Sequence, residues 1–517
     1  MHEHDEVASS ELGESLRQDL LKGEQASQPA RKGVVALLSA IACIVFGSRL
    51  IVISAFGSPV PLLDQWDGEA AALYAPYLNG TLSFASLFGS HNGHRILLTR
   101  LLALGHLEFA GEWNTRLEMI FGAAVLTAFV TWLAALLLPL VARDRRLLLS
   151  CFIALGFAFP IDFENTVWGF QSQVYLSFFF GIAALAAFAS APPFSLRWFG
   201  GLNAGVLAYF SFASGVAAIP AAVALVSLQL LTNARKRCGR EVAALVVMTA
   251  VSLAIVGWGA KGSKAMATVW TFAAGLGIFA ALTIVGGIPV VLFWRRILMR
   301  RPNVSDRSWV MLGISVWVAI QLVLFAYGRG SLIAPRYMDA VLLVYPLALV
   351  AVLDFSHQRD TAARRARLGL SPAAWVFAVA ATIVLAGCMS VLGCSYWNKA
   401  AEHQLADVRA YLDTGNVERL KERGTTTHGV VLNHPFPERQ ASFLRDPAIR
   451  AVLPPEIRPS DGDNAGARGR MLLKGTLASA TGTAVRLLLL SGPAFLALGI
   501  GVLFAAGTAR SLRDGRL

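Results

Sequence analysis

The sequence predicts an all-α polytopic membrane protein, and three observations carry that reading. Hydrophobic residues make up 56% of the 517-residue chain and charged residues only 15%, with a mean hydropathy of +0.58. A soluble body of this size carries about 25% charged residues on its surface, so water-soluble classes are excluded. The apolar residues fall in blocks of about twenty, the length that crosses roughly 30 Å of hydrocarbon. The net charge of +13 gathers in short arginine clusters between those blocks, as positive charge does on cytoplasmic loops. That distribution explains the basic balance without a nucleic-acid partner.

Twelve spans follow, at about 34–56, 117–141, 147–163, 174–191, 198–213, 216–232, 241–259, 269–294, 308–327, 337–354, 373–393 and 484–508. The apolar stretch 198–232 is divided at Ser214-Gly215, because a single helix there would put Arg295–Arg307 on the outer side. Twelve spans place both termini with Arg143–Arg146, Arg235–Arg240 and Arg364–Arg367 on the cytoplasmic face. Residues 1–33 are polar and acid-rich and read as a disordered cytoplasmic tail. The first apolar run, from Val34, is long enough to span rather than to act as a cleaved signal. Cys43, Cys151, Cys238, Cys388 and Cys394 show no CxxC pair and read as small apolar residues, not a disulfide framework.

The transmembrane domain is thus 34–393, with a long first outer loop at 57–116; a small extracytoplasmic segment at 394–483 precedes a last helix and tail at 484–517. In that segment Leu405, Val408 and Leu412 mark an amphipathic helix, and the Gly/Asp/Asn-rich Ser460–Gly469 a mobile loop.

The first outer loop carries Leu63-Asp64-Gln65-Trp66-Asp67-Gly68-Glu69, between Pro59/Pro61 and the apolar run Ala70–Leu78. Carboxylates crowded at a membrane interface repel one another and lose hydration, which raises at least one pKa and suits a general base. The same oxygens would also suit a divalent cation, and a merely solvated acidic loop is the bland alternative. Farther on come Ser90-His91-Asn92-Gly93-His94-Arg95 and an interfacial helix with Arg95 and Arg100 on its polar face. His91 and His94 read better as hydrogen-bonding groups for a phosphate or sugar, or as structural caps, than as a metal pair, since no third ligand is near.

Between spans three and four stands Pro160-Ile161-Asp162-Phe163-Glu164-Asn165-Thr166-Val167-Trp168-Gly169-Phe170-Gln171. Trp168 and Phe170 fit an aromatic belt; Glu164, Asn165 and Gln171 fit a carbohydrate platform better. Arg329 and Arg336, with Tyr337, lie on the outer face against the positive-inside rule. They and Lys261 and Lys264 would bind a phosphate or snorkel to headgroups, and the sequence leaves that choice open. Arg49, inside the first span, requires a partner or a route outward.

Together, Asp64-Gln65-Trp66-Asp67, His91-Asn92-Gly93-His94-Arg95, Asn165-Thr166-Val167-Trp168-Gly169-Phe170-Gln171 and Arg336-Tyr337 resemble the GT-C superfamily of membrane glycosyltransferases, in its uncharacterised bacterial branch. The resemblance covers roughly 34–355. It implies a GT-C-like helix bundle with outer-face interfacial helices, in a bacterial inner membrane with its site on the periplasmic side. It further implies transfer of a sugar from a polyprenyl-phosphate carrier to a glycan, lipid or protein acceptor, with inversion. Asp64 becomes the general base, with Asp67 its rival and Glu69 third. His91, Asn92, His94, Arg95, Glu164, Asn165, Trp168, Gln171, Lys261, Lys264, Arg329, Arg336 and Tyr337 become substrate-binding residues, and Asp162 and Glu164 the place of a divalent cation, Mg or Mn, where one is used. A lipid-linked sugar flippase, and an acyltransferase or O-antigen polymerase centred on His91 or His94, are the alternatives. The large C-terminal soluble domain of the family is absent from the pattern, leaving 394–483 for its acceptor-binding role.

Overall fold

The computed structural model describes residues 32–260, 267–361, 372–421, 430–459 and 462–513. Lys261, Lys264 and nearly all of the acid-rich tail lie outside the described residues. Among the described residues, ten helices are long and apolar enough to cross a membrane. These are α1 (Lys32–Phe56), α3 (Thr115–Leu137), α6 (Ser172–Phe188, continuous with the turn Gly169–Gln171), α8 (Ala218–Leu231, continuous with the turn Ala213–Ala217), α9 (Gly239–Ala260), α10 (Val269–Arg300), α11 (Ser308–Arg329), α12 (Met338–Thr361), α13 (Pro372–Thr414) and α17 (Ala478–Arg513). The chain is an all-α polytopic membrane protein. Outward-facing Phe377, Leu385, Leu490 and Phe504 are exposed, as lipid-facing side chains are.

Two of the twelve expected spans are shorter than the sequence implies. α4 (Arg146–Ala158) has 13 residues and α7 (Leu196–Tyr209) has 14, about 20 Å each at 1.5 Å per residue. In both cases irregular chain packed inside protein carries on from the short helix, the one setting in which non-helical backbone is tolerated at membrane depth. After α4 the chain passes through Phe159–Asp162 and the short helix α5 (Phe163–Val167). It ends with Gly169 against Glu118 and Thr115, at the bundle end that also carries residues 57–116, the site end.

A buried arginine makes the α4 break possible. Arg49, in α1 and fully buried, donates to Asp162 at 2.6 Å, to the Thr166 hydroxyl at 2.6 Å, and to the carbonyls of Phe157 and Phe159 at 3.2 and 3.3 Å. Tyr175 donates to the other Asp162 oxygen. One guanidinium thus satisfies carbonyls freed by the broken helix and fixes α5; this is the partner that the sequence required for Arg49.

α7 starts at the opposite end, where Arg197 donates to the Ala186 carbonyl of α6 at 2.8 Å, and finishes at the site end, where the Leu98 N–H meets the Phe210 carbonyl at 3.3 Å. A short turn through Ala213–Ala217 leads into α8. Here Gly215 is indispensable: a Cβ on it would overlap the Ala208 carbonyl. Gly215→Ala is therefore expected to cost about 1–3 kcal/mol through overpacking, read as a lower melting temperature in detergent; a melt matching wild type would refute that packing account.

α13 is 43 residues long and runs well past the bundle. Its glycines let it lie close to the α4 break, since a Cβ at Gly387 would strike the Phe159 ring and one at Gly393 would come within 2.7 Å of Phe163. The helix expected around Leu405–Leu412 is the far end of this same rod. It reaches the first loop, where Gln404 donates to the Pro61 carbonyl at 3.3 Å. Trp66, Leu73, Tyr74, Leu107 and Trp113 of residues 57–116 share one apolar core with Val408, Tyr411, Leu444, Ile449 and Val452 of the later segment. α14 (Pro437–Arg445), α15 (Pro447–Val452) and α16 (Asn464–Arg470) complete this lobe. α16 occupies part of the stretch expected as a mobile loop. Its Asp463 caps the helix by accepting from the Gly466 N–H at 2.7 Å, and Asn464 ties it to the Gly111 and Ala451 carbonyls at 3.0 and 2.9 Å. The polar residues that looked like loop chemistry act as a cap and a strut.

Candidate active site

The acidic motif begins on a bend. Leu63 has φ 46°, a left-handed value that costs a non-glycine residue on the order of 1 kcal/mol. Trp66–Tyr74 then forms a π-helix, a geometry that often accompanies functional sites. The turn is pinned from within: Gln65 accepts from the Leu62 N–H at 3.1 Å and donates to Glu69 at 3.2 Å and to Glu118 of α3 at 2.9 Å.

The three motif carboxylates meet three different surroundings. Glu69 is buried and accepts from the Trp113 indole at 2.9 Å. Burial, against the donors Gln65 and Trp113, pushes its carboxyl up to about 8. It faces the lobe core, beside Trp66, Trp113 and Tyr74. Asp67 is half-buried and engaged at both oxygens, with His434 Nε2 at 3.0 Å on one and Arg439 Nε at 2.8 Å on the other. Asp64 is half-buried and, among the described residues, has no side-chain hydrogen bond or ion pair. It still lies close enough to Arg336 and His91 to favour positive charge on both.

His91 and His94 are joined by a tight turn. The His91 N–H meets the His94 carbonyl at 2.8 Å and the reverse bond is also 2.8 Å, while Asn92 and Gly93 both have positive φ, 47° and 80°. Asn-Gly is the pair that supplies such a turn at least cost, so Asn92 serves the backbone. A Cβ at Gly68 would lie 3.0 Å from the Phe170 ring and 3.3 Å from His91, so the motif, the histidine turn and the second outer stretch are pressed together. Burial lowers His91, with Asp64 and Asp67 opposing. His94 falls further, to about 4, through burial, Arg329, His91 and Arg336. Its ring stacks on Phe212 at 4.7 Å and Nδ1 accepts the Ala213 N–H at 3.3 Å.

Other sequence candidates divide between site and scaffold. Arg336 pairs with Glu164 at 3.2 Å. Asn165 donates to the Arg336 carbonyl at 2.9 Å and to Asp339 at 3.0 Å, fixing the start of α12. Tyr337 stacks on Phe325 at 4.5 Å, and Gln171 is buried beside Gln173. Trp168 is buried between Phe170 and Trp397, so it is no open sugar platform. Arg95 donates to the Phe88 carbonyl at 2.7 Å and lies 4.2 Å over the Trp258 ring. Arg100, expected on a polar helix face, is buried in α2 (Leu97–Ala110) and donates to the carbonyls of Ser86, Leu87 and Gly89.

A divalent cation does not fit the residues expected to hold it. Asp162 is fully buried with its oxygens given to Arg49 and Tyr175, and Glu164 faces Arg336. Among the described residues no group of three or more His, Cys, Asp and Glu side chains is arranged for a metal.

The sequence reading missed His434 and Arg439. They stand 367 and 372 positions after Asp67, in a polar stretch of no recognisable motif. A proline on either side of Phe436 was the local sign of a fixed chain there.

No family model matches the chain, and no curated protein does. Two solved structures are similar in layout. One is the archaeal oligosaccharyltransferase AglB from Archaeoglobus fulgidus in complex with an inhibitory peptide and a dolichol-phosphate, at TM-score 0.43 and 13% identity over 77% of this chain and 61% of that one. The other is the Archaeoglobus fulgidus oligosaccharyltransferase in the apo form, at TM-score 0.43 and 14% identity over 83% of this chain and 65% of that one. The chain spans less than two thirds of the length of either, and likeness at this level is silent on chemistry.

Proposed function

We propose that the protein is a membrane glycosyltransferase of GT-C type that moves a sugar from a polyprenyl-phosphate carrier to a glycan, lipid or protein acceptor at the site end of the bundle. The observation that carries this reading is the unpartnered Asp64 carboxylate, set beside Arg336 and His91 where the bundle meets its lobe. A half-buried carboxylate with no donor of its own is available to accept a proton.

In this reading Asp64 takes the proton from an acceptor hydroxyl as its oxygen attacks the anomeric carbon. The bond from that carbon to the carrier's phosphate oxygen breaks, and the electron pair leaves with the phosphate. Arg336, with Arg329 nearby, stabilises the departing anion. Neutral His91 and His94 supply hydrogen bonds without adding charge. Direct displacement inverts the anomeric centre. The cation fit described above gives no reason to route a step through a metal.

The test is transfer of label from a panel of radiolabelled polyprenyl-phosphate sugars in membranes. Asp64→Asn is expected to lower turnover about a hundredfold or more, the range of a lost general base, with unchanged expression and melting temperature. Full activity in that variant removes Asp64 from the role. No turnover of any donor by intact wild-type protein directs the reading to a flippase, assayed by transport.

A further inference from the structure

We propose that His434 is a positioning residue for the acidic motif: with Arg439 it holds the Asp67 carboxylate and thereby sets the orientation of Asp64, three residues earlier. This rests on Asp64 being the working group of the site.

The geometry separates positioning from proton transfer. His434 is almost completely buried, and both ring nitrogens are occupied. Nε2 lies 3.0 Å from Asp67, an acceptor, so this nitrogen carries a proton directed at the carboxylate. Nδ1 lies 3.1 Å from the Phe436 N–H and 3.0 Å from the Phe436 carbonyl oxygen. A neutral ring accepts from the first and a charged ring donates to the second, so either form remains tied to the Phe436 backbone. No nitrogen is left to take a proton from an acceptor. The ring is held by Phe443, edge-on at 6.2 Å, and by Phe436 at 6.0 Å.

Asp67 is equally committed. With His434 on one oxygen and the Arg439 guanidinium on the other, both of its oxygens are engaged and it serves as an anchor. The anchor matters because Asp64 stands at the mouth of the π-helix, after the left-handed Leu63, with no bond of its own to fix it. Gln65 and Glu69 pin the inward face of that helix. The His434–Asp67–Arg439 contact pins the other face, and it comes from the 394–483 segment rather than from the bundle.

The experiment uses the full chain in lipid nanodiscs with His434→Gln, His434→Ala and Asp67→Asn, and two readouts. The glutamine amide can place an N–H near the position of Nε2, so His434→Gln is expected to hold turnover close to wild type. His434→Ala is expected to lower kcat about tenfold or more with the donor KM unchanged, as a displaced reacting group does; adding Asp67→Asn should then cost little further. Hydrogen exchange of residues 62–74 is read in parallel, and requires no substrate. Protection there is expected to fall in His434→Ala and to be retained in His434→Gln. A kcat unchanged in His434→Ala, or glutamine as damaging as alanine, overturns the proposal. If no donor on the panel is turned over, the exchange readout decides: equal protection in wild type, alanine and glutamine variants overturns the positioning role, whatever the activity of the protein.

Discussion

Arg49→Met is expected to destabilise the protein by about 3–5 kcal/mol, the cost of leaving one member of a buried ion pair without the other. Methionine matches the length of the stem but makes none of the bonds to Asp162, Thr166, Phe157 and Phe159. The Asp162 carboxylate would remain fully buried and close to Asp339, another buried acid, with its cation gone. Two carbonyls of the broken α4 would lose their donor as well. Adding Asp162→Leu to Arg49→Met removes the orphaned charge and should recover a large part of the loss, because an apolar pair is often as stable as the ionic one it replaces. Unfolding of the purified protein in a mild detergent reads both variants. A single variant within about 1 kcal/mol of wild type would show that the arginine does not secure the break.

The second large effect depends on pH and comes from Glu69. Folded, its carboxyl titrates at about 8 because burial disfavours the charged form; unfolded, it returns to the ordinary glutamate value of about 4.3. Between these values the folded chain holds a proton that the unfolded chain has released. Stability therefore falls as pH rises across this window, by about 1.4 kcal/mol per unit, and levels off above the folded pKa. Glu69→Gln keeps an acceptor for Trp113 and cannot ionise. Its melting temperature should match wild type near pH 4 and exceed it increasingly toward about pH 8, then by a constant margin. Parallel melting curves across that range would mean that the Glu69 site tolerates a charge after all.

Much of the bundle was legible because hydropathy reports on the solvent. Ten of the twelve apolar blocks are helices long and apolar enough to cross a membrane, among the described residues. The division at Ser214-Gly215 corresponds to the turn between α7 and α8. What hydropathy does not encode is how long a helix must be once other protein surrounds it. Residues 159–168 scored as span and loop in the sequence, yet their conformation depends on Arg49, more than a hundred residues earlier. The acidic loop was legible as a motif, since three carboxylates in six residues stand out. The different surroundings of Asp64, Asp67 and Glu69 were not, because the donors that distinguish them are Trp113, Glu118, His434 and Arg439, residues remote in sequence or unremarkable in type. A lone histidine in a polar stretch carries no local sign that it will bond an aspartate from the other end of the chain.

The Arg49–Asp162 pair also imposes an order in time. During synthesis the chain grows by a further 113 residues after Arg49 before Asp162 exists. At about 5–20 residues per second this is roughly 6–23 s. For that interval α1 holds an arginine within the membrane with none of its final partners, a placement that costs about 2.5–3.5 kcal/mol at a helix centre. Until then the first helix carries that cost alone, and it is offset only when α4 has emerged and the Phe157–Thr166 segment closes over the guanidinium.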